Sequence, residues 1–340
     1  MQQLVYTSPR QLEWREAPPP SLESDRSALV RPLAVATCDL DAMIVQGESP
    51  FPPPFPVGHE CVAEVVDAGE RAGQGTPPGT LVSVPFQISC GECPSCLRGR
   101  SANCASVPFM ATYGFGPAVE RFGGFLADTV HVPYADHMLV PLPGGVAPAS
   151  AASASDNIAD AWRAVAPPLE RDPGSEVLVV GGLGPASIGL YAAGIAVALG
   201  AGRVLYVDAD GGRRGVAESL GAETSGELVK RLGPFPITVD ASGLEDGLGL
   251  ALRSTAPDGI CTSCAIYFGE QPTMPLLEMY TKGITFVTGR ANAREAMPHV
   301  LALAATGALR PELVTSKVVA WDDAPQALVE DGWAKLVFER

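Results

Sequence analysis

Residues 176 to 208 read EVLVVGGLGPASIGLYAAGIAVALGAGRVLYVD. A β-branched run leads into closely spaced glycines, then into an alanine-rich segment and a second apolar run that ends in an aspartate. This order predicts a strand at Glu176–Val180, a tight turn, a buried helix at Ile188–Leu199 and a strand at Arg203–Asp208. Such a unit favours a parallel sheet that is covered by helices on both faces.

The glycines of this turn predict a dinucleotide site. Gly182, Gly184 and Gly189 follow the first strand, where glycine lets the backbone approach a pyrophosphate and the helix N-terminus stabilises its charge. Asp208 closes the next strand, where a carboxylate suits the ribose hydroxyls and repels a 2′-phosphate. NAD is therefore predicted over NADP, with Arg213 and Arg214 taken as solvated side chains at the start of the next helix.

Pattern changes along the chain predict two domains. Residues 1–155 contain short apolar runs that proline and glycine interrupt, as in a β-rich, barrel-like domain. From residue 156 to about 290, strands and helices alternate, as in a doubly wound α/β domain. Residues 291–340 add a helix at Met297–Thr306 and a strand near Lys335–Phe338, and are predicted to complete the first domain.

Composition excludes several function classes. The 340 residues carry 23 Lys and Arg against 38 Asp and Glu, a net charge of −15, which disfavours nucleic acid and anionic lipid as partners. Residues 177–202 lack charged side chains, but their glycines and Pro185 favour a strand, turn and helix over a membrane span. The N-terminus shows neither a basic cluster nor an apolar run, so we expect a cytoplasmic protein.

Four of the eight cysteines form a cluster with metal-ligand spacing. Cys90, Cys93, Cys96 and Cys104 are separated by two, two and seven residues, so four thiolates can converge on one Zn²⁺. An iron–sulfur cluster of the bacterial type would need a shorter last gap, and four unpaired buried thiols are the remaining alternative. The spacing predicts a closed, structural zinc site, which stabilises a lobe and catalyses nothing.

A second group of ligand residues becomes informative through a family resemblance. Gly58-His59-Glu60 follows Cys38-Asp39-Leu40-Asp41 by about twenty residues. Together with the four cysteines, Pro78-Gly79, Gly123-Gly124-Phe125 and the glycine turn, these motifs resemble the zinc-type medium-chain dehydrogenase/reductases, the alcohol dehydrogenase superfamily. The resemblance implies a GroES-like barrel catalytic domain (1–155 and 291–340) combined with a Rossmann domain (156–290).

The resemblance also implies a catalytic zinc site and its chemistry. Cys38 and His59 would be ligands, and Asp156 occupies the place of the third, in a Ser-Asp pairing similar to the glutathione-independent formaldehyde dehydrogenase branch. Glu60 would be an alternating fourth ligand or a neighbour of the metal, and Asp41 would accept the second ring N–H of His59. We then expect two Zn²⁺ per chain, with hydride passing between an alcohol or carbonyl substrate and NAD in the cleft.

Departures from the family pattern leave other functions open. Leu40 stands where the family carries a serine or threonine that relays the alcohol proton, so a water, Ser153, Ser155 or Asp39 would replace it. The turn counts nine residues up to Gly189, against six in Gly-x-Gly-x-x-Gly, which predicts a widened phosphate site.

Two further expectations and two alternatives follow from the same resemblance. Arg290 is a candidate for pairing with pyrophosphate, and a homodimer or homotetramer is expected. One alternative is an enzyme of the same fold whose zinc no longer performs alcohol chemistry. The other is a non-catalytic dinucleotide-binding sensor.

Overall fold

The computed structural model describes residues 1–268 and 271–340, which form two compact units. The first unit contains Met1–Ala159, Ala291–Ala305 and Thr315–Arg340, and the second contains Asp160–Arg290 and Thr306–Val314. The boundary thus lies after Ala159 instead of after residue 155, which leaves Asp156 in the first unit. Thr306–Val314 lies in the second unit, whereas the sequence assigns residues 291–340 to the first domain.

The described residues form sixteen strands and twelve α-helices. The strands are β1 (Gln2–Ser8), β2 (Gln11–Glu16), β3 (Ala28–Ala36), β4 (Phe55–Pro56), β5 (Glu60–Ala68), β6 (Leu81–Val84), β7 (Val130–Val132), β8 (Val140–Pro141), β9 (Val177–Val180), β10 (Val204–Val207), β11 (Glu223–Ser225), β12 (Phe235–Asp240), β13 (Thr255–Ser263), β14 (Thr285–Thr288), β15 (Lys317–Ala320) and β16 (Leu336–Glu339). The helices are α1 (Asp39–Gln46), α2 (Glu70–Gly75), α3 (Val119–Phe122), α4 (Ala135–Met138), α5 (Pro148–Ala151), α6 (Asn157–Arg171), α7 (Ser187–Ala198), α8 (Gly211–Ser219), α9 (Glu245–Ser254), α10 (Leu276–Lys282), α11 (Ala293–Ala305) and α12 (Ala324–Val329).

The first unit is built on two sheets. One has the order β2-β1-β4, and the other the order β15-β16-β3-β5-β6-β8, with β7 paired to β3. Strand β16 pairs antiparallel with β3, so this C-terminal strand joins the sheet of the N-terminal half. Proline and glycine interrupt the short strands of this β-rich unit and give it its many turns.

The second unit is a six-stranded parallel sheet in the order β11-β10-β9-β12-β13-β14. This is the strand order of a Rossmann fold, with the first strand, β9, at the centre. Residues Val177–Val180 are all fully buried, because helices cover both faces of a parallel sheet. Helix α7 is apolar on almost every side and is buried for the same reason.

Residues 177–202, which lack charge, therefore form β9, a turn and α7 rather than one long helix. Among the described residues, none of the helices combines the length and the apolar character needed to cross a bilayer.

Candidate metal centres and dinucleotide site

The structure brings the four clustered cysteines together. The sulfur atoms of Cys90, Cys93, Cys96 and Cys104 all lie within 4.8 Å of one another, and none of the eight cysteines forms a disulfide. Backbone N–H groups donate to these sulfurs, among them the N–H of Cys90 to Cys104 Sγ at 3.3 Å. Burial disfavours the Cys93 thiolate, but N–H donors outweigh it and lower the pKa of Cys93 to about 6. The donor set and its charge fit a four-thiolate zinc site.

His137 packs beside this lobe and makes its stability depend on pH. Its Nε2 lies 3.2 Å from Ser89 Oγ, and its ring fills the space that a side chain at Gly91 would need. Burial, assisted by the charge of Arg294, lowers the pKa of His137 to about 4, against roughly 6.5 in the unfolded chain. The unfolded state therefore binds more protons between these values, and stability is lost as the pH falls from about 6.5 towards 4.

We expect His137→Asn to lower the melting temperature at pH 7. Between pH 7 and pH 5, the melting temperature of this variant should fall by less than that of the unchanged protein. Thermal unfolding at both pH values measures this slope. His299→Asn is the matched control, because His299 lies on the exposed face of α11. Equal slopes for His137→Asn and the unchanged protein would contradict the prediction.

A second cluster of candidate ligands lies at the start of β5. The ligand atoms of Cys38, His59, Glu60 and Asp156 lie within 4.8 Å of one another, and all four residues are buried. His59 follows Gly58, whose φ of +93° and tight contact with the backbone of Leu126 require glycine. Cys38 is the N-cap of α1, His59 and Glu60 lie at the start of β5, and Asp156 directly follows the short 3₁₀ helix Ala152–Ser155. Residues that are distant in sequence therefore meet through the fold of the first unit.

The start of helix α1 prepares Cys38 as a thiolate ligand. Cys38 is the N-cap residue, and its Sγ accepts the backbone N–H of Leu40 at 3.4 Å. Asp41 in turn accepts the backbone N–H of Cys38 at 2.8 Å. Without a metal ion, burial and the nearby carboxylates raise the pKa of Cys38 well above its ordinary value, so a cation is needed to hold the thiolate here.

The His59 ring has one nitrogen directed at the cluster and one directed away from it. Its Nε2 lies 3.4 Å from Asp156 Oδ2, and its Nδ1 lies 3.7 Å from Asp41 Oδ1. Asp41 faces the ring as predicted, but at this separation the predicted hydrogen bond is not formed. Within the described residues, neither buried ring nitrogen has a hydrogen-bond partner. A sulfur, an imidazole and carboxylates around such a nitrogen fit Zn²⁺.

Two residues that the sequence did not single out, Lys335 and Asn157, form hydrogen bonds with residues of this cluster. The Nζ atom of Lys335, 1% exposed, lies 2.7 Å from both Glu60 Oε2 and Asn157 Oδ1. Asn157 donates its side-chain N–H groups to Cys38 Sγ at 3.3 Å and to Asp156 Oδ2 at 3.2 Å. Burial raises the pKa of Glu60, and the Lys335 ammonium limits this rise. Lys335 lies far from the cluster in sequence, where no local pattern marks it.

Ser155 is occupied by a structural role. Its hydroxyl donates to the carbonyl of Ala152 at 3.0 Å and accepts the backbone N–H of Cys61 at 3.0 Å. These bonds fix the turn that precedes Asp156. The hydroxyl proton is therefore already used, which disfavours Ser155 as the replacement for a proton relay at Leu40.

In the second unit, the glycine turn connects β9 to α7. Helix α7 begins at Ser187, so six residues, 181–186, separate it from β9, and the width of the phosphate site stays a prediction. A Cβ on Gly182 would meet the backbone of Ser242, and Gly184 has a φ of +65°. Gly189 lies inside α7, where its missing side chain allows close packing against Ala241.

Asp208 and Arg213 occupy different surroundings from those predicted. Asp208 is fully buried, and Arg213 forms an ion pair with it at 2.7 Å, so the prediction of a solvated Arg213 is wrong. Arg214 also turns inward and donates to the carbonyl of Asp208 at 2.7 Å. Arg290 is the last residue of its segment of the second unit, and burial lowers its pKa. Its pairing with pyrophosphate stays a prediction.

Comparisons with known proteins agree with this geometry. Residues 24–144 match the alcohol dehydrogenase GroES-like domain. A probable zinc-binding alcohol dehydrogenase of Mycobacterium tuberculosis is 30% identical over 90% of this chain and 79% of its own length. The chain belongs to the zinc-type alcohol dehydrogenase family.

Two other relatives place the chain within this family. A glutathione-independent formaldehyde dehydrogenase of Pseudomonas aeruginosa is 32% identical over 65% of this chain and 57% of its own length. Among solved structures, the alcohol dehydrogenase TADH of Thermus sp. ATN1 is 28% identical, covers 100% of this chain and 99% of its own, and superposes with a TM-score of 0.85. The predicted combination of a GroES-like domain with a Rossmann domain is confirmed.

Proposed function

We propose that the chain is a zinc-dependent oxidoreductase that exchanges hydride between an alcohol, or the corresponding aldehyde or ketone, and a nicotinamide dinucleotide. The observation that carries the proposal is the buried convergence of Cys38, His59 and Asp156. A sulfur, a nitrogen and an oxygen ligand leave one of four zinc positions for substrate, as catalytic zinc sites require. When bound, the zinc supplies Lewis-acid polarisation of the substrate oxygen.

We assign Glu60 to a supporting role and not to the ligand set. One of its oxygens accepts Lys335 at 2.7 Å and the other accepts the backbone N–H of Asn157 at 3.3 Å. Both carboxylate oxygens of Glu60 therefore already accept hydrogen bonds from protein donors. Lys335 and Asn157 thus orient three of the four candidate ligand residues, and supporting contacts of this kind tune metal affinity.

Aromatic side chains favour a substrate with an apolar body. The ring of Phe115 stands edge-on to His59 at 4.8 Å between centroids, and Phe86 lies 6.0 Å from the same ring. Leu40 adds an aliphatic side chain next to Cys38. Hydroxyl-rich substrates would lose hydration against these groups without gaining partners, so we propose simple alcohols or aldehydes over polyols.

The glycine turn and the first turn of α7 would hold the pyrophosphate of the dinucleotide. The N-cap position of α7 is Ala186, whose side chain offers no oxygen to cap the helix. The positive end of the helix dipole is then available for an anion. When bound, the nicotinamide ring accepts or supplies the hydride.

Metal analysis combined with a substrate panel tests this function. We expect two zinc ions per chain, and turnover of at least one simple alcohol or aldehyde with NAD(H) or NADP(H). One zinc ion per chain together with no turnover would overturn the catalytic assignment. Two zinc ions per chain without turnover would favour the alternative function, an enzyme of the same fold whose zinc no longer performs alcohol chemistry.

We further propose a homodimer or homotetramer that works in the cytoplasm. Helix α10 exposes Leu276, Leu277 and Tyr280, more apolar surface than a short helix on a monomer usually shows. Eight cysteines without a disulfide suit a reducing compartment. Light scattering coupled to size-exclusion chromatography measures the oligomeric state, and a monomer would refute this part.

A further inference from the structure

Asp240, the last residue of β12, accepts four hydrogen bonds on a fully buried carboxylate. Its Oδ1 accepts the backbone N–H of Ser242 at 3.1 Å and the hydroxyl of Ser242 at 2.6 Å. Its Oδ2 accepts the hydroxyl of Ser263 at 2.7 Å and the hydroxyl of Tyr267 at 2.8 Å. These donors compensate for the burial of a charge, and through them Asp240 connects the β12–α9 loop to the end of β13 and to the segment that follows it.

Ser242 connects this carboxylate to the glycine turn. Its carbonyl accepts the backbone N–H of Leu183, within the turn, at 2.9 Å. A Cβ at Gly182 would lie 2.5 Å from the same carbonyl oxygen, so the missing side chain of Gly182 allows this contact. On the other side of β9, the backbone N–H of Gly181 donates to the carbonyl of Val207 at 2.9 Å. The turn is therefore held from both neighbouring strands, β10 and β12.

The hydroxyl of Ser242 fixes the orientation of that residue. It donates to Asp240 Oδ1 and accepts the backbone N–H of Leu244 at 3.1 Å. A Cβ at Gly247 would clash with it, so helix α9 packs directly against the hydroxyl. Ser242 is 1% exposed. Its side chain is thus enclosed and hydrogen-bonded, which keeps its carbonyl directed at the glycine turn.

Tyr267 holds the same carboxylate from the opposite end. Its hydroxyl also lies 3.3 Å from the carbonyl of Leu244, in the loop that contains Ser242. Burial and the charge of Asp240 raise the pKa of Tyr267, so the hydroxyl keeps the proton that it donates. With Ser263 as a second donor to Oδ2, the position of the carboxylate does not depend on Ser242 alone.

The location of this network gives it a role in ligand binding. In open parallel sheets, ligands bind outside the carboxyl ends of the strands, at the point where the strand order reverses. In this sheet that point lies between β9 and β12, where the glycine turn meets Ser242.

We propose that Asp240 and Ser242 are a positioning pair for the dinucleotide, which holds the glycine turn in the shape that receives the pyrophosphate. This rests on the proposed function, which supplies the dinucleotide. A turn that is fixed before binding does not have to be ordered by the ligand, so the contribution of the pair is seen in the affinity.

Titration of the full-length, zinc-loaded protein with NADH and with NADPH, followed by the fluorescence of the reduced nicotinamide, tests the proposal without turnover. Ser242→Ala should weaken the dinucleotide that binds more tightly by about 10-fold, because a hydrogen bond to a charged group is lost and the turn must be ordered on binding. Ser242→Cys keeps a side chain of similar size with a weaker donor, so its affinity should lie between those of the alanine variant and the unchanged protein.

Ser263→Ala is the matched control, because it removes a hydroxyl donor from the same carboxylate at a strand that does not adjoin β9. It should lower the melting temperature about as much as Ser242→Ala does and leave the dinucleotide affinity unchanged. Equal affinities of the two alanine variants would overturn the inference and leave the dinucleotide site in place. If the unchanged protein binds neither NADH nor NADPH, the dinucleotide site of the proposed function fails, and the positioning role fails with it.

Discussion

Asp156→Asn is expected to remove one of the two zinc ions and to lower the rate of hydride transfer by about a thousand-fold, since Lewis-acid polarisation contributes several kcal/mol to catalysis. The substitution keeps the shape of the side chain and removes its charge. An amide oxygen is a poorer zinc ligand than a carboxylate, and Asp156 Oδ2 faces Nε2 of His59 at 3.4 Å. The measurements are zinc content per chain and kcat/KM with an accepted substrate.

A surface carboxylate provides the control for this variant. Asp172 is exposed just after α6, and its carboxylate accepts the nearby Ser175 hydroxyl at 2.7 Å, so Asp172→Asn should keep two zinc ions and full activity. The four-cysteine lobe should keep its zinc in both variants, which gives an internal standard for the metal count. Full activity of Asp156→Asn with two zinc ions would remove Asp156 from the site.

The sequence predicts those parts of this site that lie in local motifs. The four cysteines fall within fifteen residues, so spacing alone identifies them, whereas the contiguous Gly58-His59-Glu60 becomes informative only through the family resemblance. The alternating strands and helices after residue 156 likewise have local patterns, and these predict the parallel sheet of the second unit. The resemblance to a known family connected Cys38 with Asp156, which no spacing does.

Side-chain partners could not be predicted in the same way. The sequence predicts a solvated Arg213, because a basic residue at the start of a helix usually is, whereas its ion pair with Asp208 depends on how β10 and the glycine turn pack. The start of α7 at Ser187, before Gly189, could not be located from the glycine spacing. Lys335 meets Glu60 only through the pairing of β16 with β3, a contact between residues 275 positions apart.

Lys335→Met is expected to lower the free energy of unfolding by about 3–5 kcal/mol, the usual cost of removing one partner from a buried ion pair. Lys335 Nζ lies 2.7 Å from Glu60 Oε2, and both side chains are almost completely buried. Cys38, Asp41 and Asp156 surround the same pair, so the ammonium opposes an excess of negative charge. Chemical denaturation of the zinc-loaded protein measures the loss.

A control and a double variant separate this charge effect from the loss of a long side chain. Lys317→Met, on the neighbouring strand β15, removes an exposed lysine whose nearest carboxylate, Glu330, lies at 3.5 Å, and should cost less than about 1 kcal/mol. Lys335→Met combined with Glu60→Gln should recover part of the stability, because no unpaired charge then stays buried at that position. If the double variant is as unstable as the sum of its single variants, Lys335 acts through packing and not through its charge. Recovery of stability with a normal zinc content would instead show that the ammonium serves to neutralise Glu60, which is the condition for keeping that carboxylate charged beside the metal ligands.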